Sequence, residues 1–116
     1  MVMVAQIAVV IVAVLHAAIG GVEMFLWKRP RVHGRLAFTQ AEASKVAPIV
    51  ANAGLYNMFV AAGLAWSVYT QDPRFSVFFL VFVAIAGLYG AATLKKTTLF
   101  LQTIPAVVAA LFVLRA

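Results

Sequence analysis

The sequence predicts an all-α integral membrane protein, a bundle of four transmembrane helices with a short interfacial helix between helices 1 and 2. Two observations carry this prediction. Hydrophobic residues make up 66% of the 116 residues and charged residues only 10%, which leaves too little polar surface for a soluble globule. The apolar residues also form runs close to the roughly 20 residues that a transmembrane helix needs, with the charged residues between the runs. Residues 1–116 are therefore expected to form a single membrane domain with no separate soluble part.

The charge and the absence of cysteine exclude several classes of function. With no cysteine, the chain offers neither a disulfide scaffold nor a thiolate metal site. Its net charge of +6 comes from basic residues in the gaps between apolar runs, where membrane lipids are the natural partners and nucleic acid is not an expected one. No cofactor or metal is expected, because haem would need a second buried ligand besides His16, and His33 lies in a connection.

The first predicted span is followed by a polar connection. The span covers about residues 2–27 and ends where the charge of Lys28 and the ring of Pro30 oppose continuation into lipid. Within the connection, Thr39 and Glu42 match a capping box, in which each residue accepts a hydrogen bond from the backbone N–H of the other. This motif predicts that the short interfacial helix begins there.

The remaining three spans follow with short links. Span two covers about residues 46–70. Pro48 near its start either opens this span or kinks a longer helix that begins at the capping box, and a kink or break at Ala47 is the favoured interpretation. A tight turn leads to span three, at about residues 75–94, and a short basic link leads to span four, at about residues 98–114. Spans two, three and four are therefore expected to form helical hairpins.

Lysine and arginine lie mainly on one side of a chain with four spans. Only Arg74 and Arg115 fall on the other side, so the positive-inside rule places the richer side in the cytoplasm and both termini outside. The cluster predicted to bind lipid head groups is Lys28, Arg29, Arg31 and Arg35, and the other residues of that side are Lys45, Lys95 and Lys96.

Polar side chains from all four spans are predicted to meet at one depth. At about 1.5 Å per residue, Glu23 lies some 7 Å inside Lys28, whereas His16 is about 18 Å deep. Polar residues of the other spans fall about 6 to 10 Å below the same surface. They lie on inward-facing stripes, since lipid-facing positions cannot satisfy an amide or a carboxylate. The predicted ligand-binding or proton-titrating residues are Glu23, His16, Asn52, Tyr56, Tyr89 and Gln102.

Two functions fit this polar layer. In the first, it binds a small molecule or a lipid, with proton-linked transport as one form, and Glu23 is the titrating group because burial favours a neutral carboxylic acid. In the second, the chain is a structural or accessory membrane protein that binds a partner protein, and the layer only stabilises the bundle. An enzyme is a weaker third alternative, because Glu, His and Tyr can do acid–base chemistry but no nucleophile or metal cluster accompanies them.

Other small and polar residues are interpreted as helix packing. Asn57 lies about 140° around the helix from Asn52 and is expected to hydrogen-bond a neighbouring helix. Gly87, Gly90 and Ala91 are small residues whose spacing lets two backbones approach closely. A homo-oligomer formed through this face is the lesser alternative.

Several motifs together resemble one known family. They are His16 with residues 22–27 (VEMFLW), residues 52–57 (NAGLYN) leading to 61–64, residues 86–93 (AGLYGAAT), and Gln102 with Pro105. In these motifs the chain resembles the small bacterial four-helix membrane proteins grouped as domain of unknown function thirteen-zero-four, over nearly its whole length. That family usually carries Gln at the position of Ala53. The resemblance implies a four-span, multi-pass protein of the bacterial inner membrane, and it implies no reaction.

Overall fold

The computed structural model describes residues 1–115, and within them the chain forms helices and no strand. π-helical turns, in which the backbone hydrogen bond spans one extra residue, extend two of the helices, with Val22–Leu26 after the first and Leu99–Thr103 before the last. A 3₁₀ turn, Gly34–Leu36, follows the second helix. The five α-helices are α1 (Met3–Gly21), α2 (Pro30–His33), α3 (Gln40–Tyr69), α4 (Pro73–Thr93) and α5 (Ile104–Arg115).

Three helical segments are long and apolar enough to cross a membrane, namely Met3–Leu26, Gln40–Tyr69 and Pro73–Thr93. The segment Leu99–Arg115, which contains α5, is apolar but shorter. The predicted all-α class is confirmed for the described residues. By length and composition, the structure supports three crossing helices where the sequence predicted four.

The start of α3 corrects one prediction and confirms another. The capping box is present, because the Thr39 hydroxyl accepts from the Glu42 N–H at 3.2 Å and the Thr39 N–H donates to Glu42 Oε1 at 2.9 Å. The helix that begins there is not a separate interfacial helix, because it continues through Ala47 and Pro48 without a break. A break at Ala47 was wrong, because one missing backbone donor does not end this helix, whereas the alternative of one longer helix that begins at the capping box is confirmed. The predicted kink stays a prediction.

The short helix between the first two long helices lies earlier in the chain than predicted. It is α2, which opens at Pro30, where the missing N–H costs no hydrogen bond. Ala37, with φ at 62°, ends the following 3₁₀ turn in the left-handed region and directs the chain toward the cap of α3.

The four longer helices pack side by side. α1 contacts α3 and α5, and α4 contacts α3 and α5. The molecule is 48 Å long, which exceeds the hydrocarbon thickness of about 30 Å. Large apolar side chains such as Ile11, Phe78 and Leu111 cover its outside, and a surface of this kind suits lipid better than water.

The buried apolar core occupies one half of this length. We call it the packed half: it contains the start of α1, the turn between α3 and α4, and the end of α5. The opposite half, which contains the two basic connections, is called the basic half. The core consists of small and medium side chains that interlock at close distance: Ala5, Val9, Val12, Ala13, Leu64, Leu80, Val83, Ala106, Ala109 and Val113.

Polar groups in the packed half satisfy one another. The buried Ser76 hydroxyl donates to the Ser67 hydroxyl at 2.7 Å, and Ser67 donates to the Leu64 carbonyl at 2.6 Å. At the surface, Gln71 Oε1 accepts from the N-terminal ammonium at 2.7 Å and from Gln6 Nε2 at 3.0 Å. These bonds tie the start of α1 to the turn after α3.

Candidate functional site

Two glycines bring α1 and α3 into close contact next to the predicted site. A Cβ atom on Gly20 would lie 2.7 Å from the Gly54 carbonyl oxygen, and one on Gly54 would lie 2.8 Å from that of Gly20. Only glycine fits at such a distance without a shift of the backbone. Residues three further along each helix lie on the same face, and these are Glu23 and Asn57. The close approach of Gly20 and Gly54 therefore places the carboxyl group of Glu23, just after α1, against the side-chain amide of Asn57 on α3.

A hydrogen bond joins these two side chains. Asn57 Nδ2 donates to Glu23 Oε1 at 2.5 Å. Glu23 lies in the π-helical turn Val22–Leu26, a local irregularity that occurs frequently at functional sites. The second carboxyl oxygen of Glu23 has no hydrogen-bond partner among residues 1–115, and it is not fully enclosed. It is available to accept a hydrogen bond from a ligand.

Three open cavities border this Glu23–Asn57 pair. The α1–α3 cleft, of about 500 Å³, lies between the end of α1 and the start of α3, and Glu23 is one of its lining residues. The basic cleft, of about 460 Å³, lies between the two basic connections, and Glu23 lines it as well. The lateral groove, of about 920 Å³, runs between α3 and α4, and Asn57 lines it. Volumes of this size are typical of small-molecule sites.

Three of the predicted site residues line the lateral groove together. Tyr56, Tyr89 and Gln102 share it with Asn57, although Tyr56 is 62% and Tyr89 72% exposed at the surface that suits lipid. Gln102 lies in the second π-helical turn, Leu99–Thr103. The groove is otherwise mostly apolar, with side chains such as Phe82 and Ile85.

Two predicted site residues lie apart from the others. Asn52 is exposed, and its side chain makes no hydrogen bond within the described chain, so the amide next to Glu23 is that of Asn57. His16 is 1% exposed, and its Nδ1 donates to the Val12 carbonyl at 2.9 Å, because a carbonyl can only accept. That bond directs the imidazole back along α1 toward the packed half, and no hydrogen bond links His16 to Glu23 in the part of the chain described.

Two of the small residues predicted to pack against a neighbour, Gly87 and Gly90, contact the residues just before α5. A Cβ on Gly87 would collide with Thr103, and one on Gly90 would meet the Thr98 side chain at 3.1 Å. Thr98 Oγ1 donates to the Gly87 carbonyl at 2.8 Å, and Thr103 Oγ1 to the Ala84 carbonyl at 3.0 Å. These contacts lie within one chain, and they hold the π-helical turn of Gln102 against α4. Ala91, on the same helix, is partly buried.

Sequence reasoning missed the role of Trp27 and His33. Trp27 is 6% exposed and donates through Nε1 to the Ala43 carbonyl at 2.9 Å, so it fastens the end of α1 to the start of α3. His33 is buried beside the Trp27 ring, and its Nδ1 donates to the Phe38 carbonyl at 3.0 Å. Asn57, the partner of Glu23 that sequence reasoning missed, did have a sequence signal. Glu23 follows Gly20 by three residues, and Asn57 follows Gly54 by three residues.

The basic half carries charges that the protein does not neutralise. Within residues 1–115 the only ion pair is that of Arg74 with Asp72 at 2.9 Å, in the packed half. There, hydrogen bonds from Arg74 hold the pKa of Asp72 below its usual value. In the basic half, Lys95 Nζ donates to the Arg35 carbonyl at 2.9 Å, which ties the two basic connections together. The residues there without an ion pair are Lys28, Arg29, Arg31, Arg35, Lys45, Lys95 and Lys96.

The fold and the site define a small all-helical protein with three helices long and apolar enough to cross a membrane, and a carboxyl–amide pair between two of them. No three His, Asp or Glu side chains within the described ranges come together to hold a metal ion. A family model described as "Protein of unknown function (DUF1304)" matches residues 10–114, and the chain belongs to this family. No curated protein and no solved structure matches the chain.

Proposed function

We propose that this protein is a four-span integral protein of the bacterial inner membrane that binds a lipid or a lipid-soluble small molecule at an intramembrane polar site near the cytoplasmic face. Glu23 is the central group of the site and exchanges a proton as the ligand binds or leaves. Proton-linked transport of the ligand is the fuller form of this function.

Charge distribution supports the proposed orientation. The basic half holds seven Lys and Arg residues without an ion pair within residues 1–115, whereas the packed half holds two, Arg115 and Arg74, and Arg74 is paired with Asp72. The positive-inside rule then places the basic half in the cytoplasm and both termini outside. The fourth span in this arrangement is Leu99–Arg115, which packs between α1 and α4 as a membrane-embedded helix would.

The observation that carries the proposed site is the Glu23–Asn57 hydrogen bond, whose two side chains between them line three cavities. An ionisable group in a crossing helix is costly and usually functional. Here one carboxyl oxygen is bound by Asn57 and the other has no partner in the described chain. A group held in place on one side and open on the other is suited to bind a ligand.

The lateral groove supports a ligand that is largely apolar. Most of its lining surface is apolar, and six of its twelve lining residues carry a polar group: Tyr56, Asn57, Tyr89, Thr93, Thr98 and Gln102. A few placed polar groups in an apolar cavity are typical of sites that orient an apolar or amphiphilic molecule. Because the groove opens toward lipid, such a molecule can enter from the membrane.

Glu23→Gln tests the proposal directly. Glutamine keeps an oxygen that accepts from Asn57 but cannot exchange a proton. Ligands extracted with the wild-type protein are identified and quantified by mass spectrometry. We expect them to bind the variant about tenfold more weakly, because a hydrogen bond to a charged group is lost. Their binding to the variant should also no longer depend on pH. Glu42→Gln is the matched control, since glutamine also serves in a capping box and Glu42 lines none of the three cavities. A Glu23→Gln protein with unchanged ligand content and pH response would contradict the proposal.

A second candidate function is that of a structural or accessory membrane protein that binds a partner protein. The observation that favours it is the position of the Glu23–Asn57 bond next to the tight Gly20–Gly54 crossing, where it can lock α1 to α3. In that case Asn57→Ala lowers the unfolding temperature in detergent and leaves every bound small molecule unchanged. The ligand-site proposal expects the ligand content to fall together with stability.

A further inference from the structure

The basic cleft is lined by charges of both signs. Glu23 and Trp27, at the end of the first long helical segment, line it together with residues of the two basic connections. The ionisable side chains that line it are one carboxyl group, one guanidinium group and one ammonium group, those of Glu23, Arg35 and Lys95. This combination is specific enough to select a ligand by its charge pattern.

The two cations are free to bind an anion. Lys95 uses one of its three N–H donors for the Arg35 carbonyl, which fixes the ammonium in the cleft and leaves two donors. The Arg35 side chain makes no hydrogen bond or ion pair within residues 1–115. A guanidinium binds phosphate oxygens in a fork of two hydrogen bonds, so Arg35 and Lys95 together suit a phosphate group.

Glu23 decides what else the ligand must carry. A ligand with only negative charge would be repelled by the Glu23 carboxylate, and one with only positive charge would be repelled by Arg35 and Lys95. A ligand with both charges satisfies all three groups. We propose that the basic cleft binds the head group of a zwitterionic phospholipid, with its phosphate between Arg35 and Lys95 and its primary ammonium at Glu23. This assignment rests on the proposed role of Glu23 as a ligand-binding group.

The place of the cleft in the fold favours a lipid over a soluble zwitterion. Glu23 lies near the end of the membrane-suited segment Met3–Leu26, and Lys95 follows the end of α4 by two residues. The cleft is thus at the depth where head groups meet acyl chains. Val32, Leu36 and Leu101 add apolar side chains to its walls, which a free phosphoethanolamine could not use.

The test is native mass spectrometry of the protein in a neutral detergent. Phosphatidylethanolamine, phosphatidylglycerol with the same acyl chains, and soluble phosphoethanolamine are titrated separately. We expect phosphatidylethanolamine to bind about tenfold more tightly than phosphatidylglycerol, because only it has the ammonium. Soluble phosphoethanolamine should bind far more weakly than either lipid. If it binds as tightly as phosphatidylethanolamine, the lipid assignment is wrong.

Variants assign the selectivity to its side chains. Arg35→Gln and Lys95→Gln should each weaken phosphatidylethanolamine binding about tenfold. The control Lys96→Gln changes the neighbouring lysine, which does not line the cleft, and should have no such effect. Equal losses in Lys95→Gln and Lys96→Gln would mean that binding follows overall charge, and would overturn the proposal.

Glu23→Gln separates this inference from the proposed function. It should make the two lipids bind equally, and the retained acceptor for Asn57 guards against unfolding, which a thermal scan verifies. If the wild type already binds both lipids equally and both still depend on Glu23, the zwitterion assignment fails and the Glu23 site stands. If Glu23→Gln changes neither lipid, the inference fails. The proposed function fails with it only if the ligands extracted with the wild-type protein also bind Glu23→Gln unchanged.

Discussion

The packed half and the basic half solve the problem of polar groups inside a helical membrane protein in opposite ways. In the packed half, Ser67 and Ser76 bond each other within a close-packed core. In the basic half, Glu23 and Asn57 bond each other beside open cavities, and one carboxyl oxygen has no partner in the described chain. Polar groups that serve stability are buried in the core, whereas polar groups suited to bind a ligand line open cavities. The contrast therefore locates the site more sharply than polarity alone.

The largest effect is expected from a cavity in the packed half. Leu80 is 1% exposed in the core, so Leu80→Ala should lower the free energy of unfolding by about 2 to 5 kcal/mol. Leu88→Ala on the same helix is the control, because Leu88 is 56% exposed. Unfolding in detergent followed by circular dichroism measures both. Equal losses in the two variants would remove the distinction between a packed half and a lipid-facing surface.

A smaller loss is expected at the boundary of the two halves. Gly20→Ala should cost about 1 to 3 kcal/mol, since the new methyl group would overlap the Gly54 carbonyl. Its neighbour provides the control, because a Cβ on Gly21 meets only Met58 Cε at 3.8 Å, and Gly21→Ala should be neutral or stabilising. Unfolding temperatures of the two variants decide the point. A stable Gly20→Ala protein would contradict the close crossing that positions Glu23.

The smallest effect concerns the surface of the packed half. The pKa of Asp72 is lower in the folded protein than in the unfolded chain, so its contribution to stability is present above the unfolded pKa and is lost as the pH falls through the folded pKa. The unfolding temperature of the wild type should exceed that of Asp72→Asn at neutral pH, and the difference should disappear well below pH ~4. A difference that persists in acid would show that charge pairing with Arg74 is not its cause.

Local signals in the sequence predicted local features correctly. The capping box of Thr39 and Glu42 needs only neighbouring residues, and it is present as predicted. The all-α class follows from composition, and the family resemblance is confirmed over residues 10–114. The prediction of a break at Ala47 was wrong because the free-energy cost of a proline depends on the contacts that stabilise the rest of the helix. One such contact is the hydrogen bond from Trp27 to the Ala43 carbonyl.

The partner of Glu23 could not be read from helical periodicity. Periodicity defines the faces of α3 but does not say which face meets α1, and Asn52 and Asn57 lie on different faces. The close approach of Gly20 and Gly54 fixes that rotation, and it turns Asn57 toward Glu23. The two π-helical turns pack against different neighbours, Val22–Leu26 against α3 and Leu99–Thr103 against α4, and such contacts are not visible in the local sequence. The predicted ligand role of the site residues remains a prediction.

Three hydrogen bonds in the basic half share one property, which is that each is accepted by a backbone carbonyl. Trp27 reaches that of Ala43, His33 that of Phe38, and Lys95 that of Arg35. Every residue type presents the same carbonyl, so evolution can change the accepting positions without breaking these ties. Among related sequences, the three donors should stay constant while their acceptors vary freely, and pairwise covariation should not reveal these three contacts.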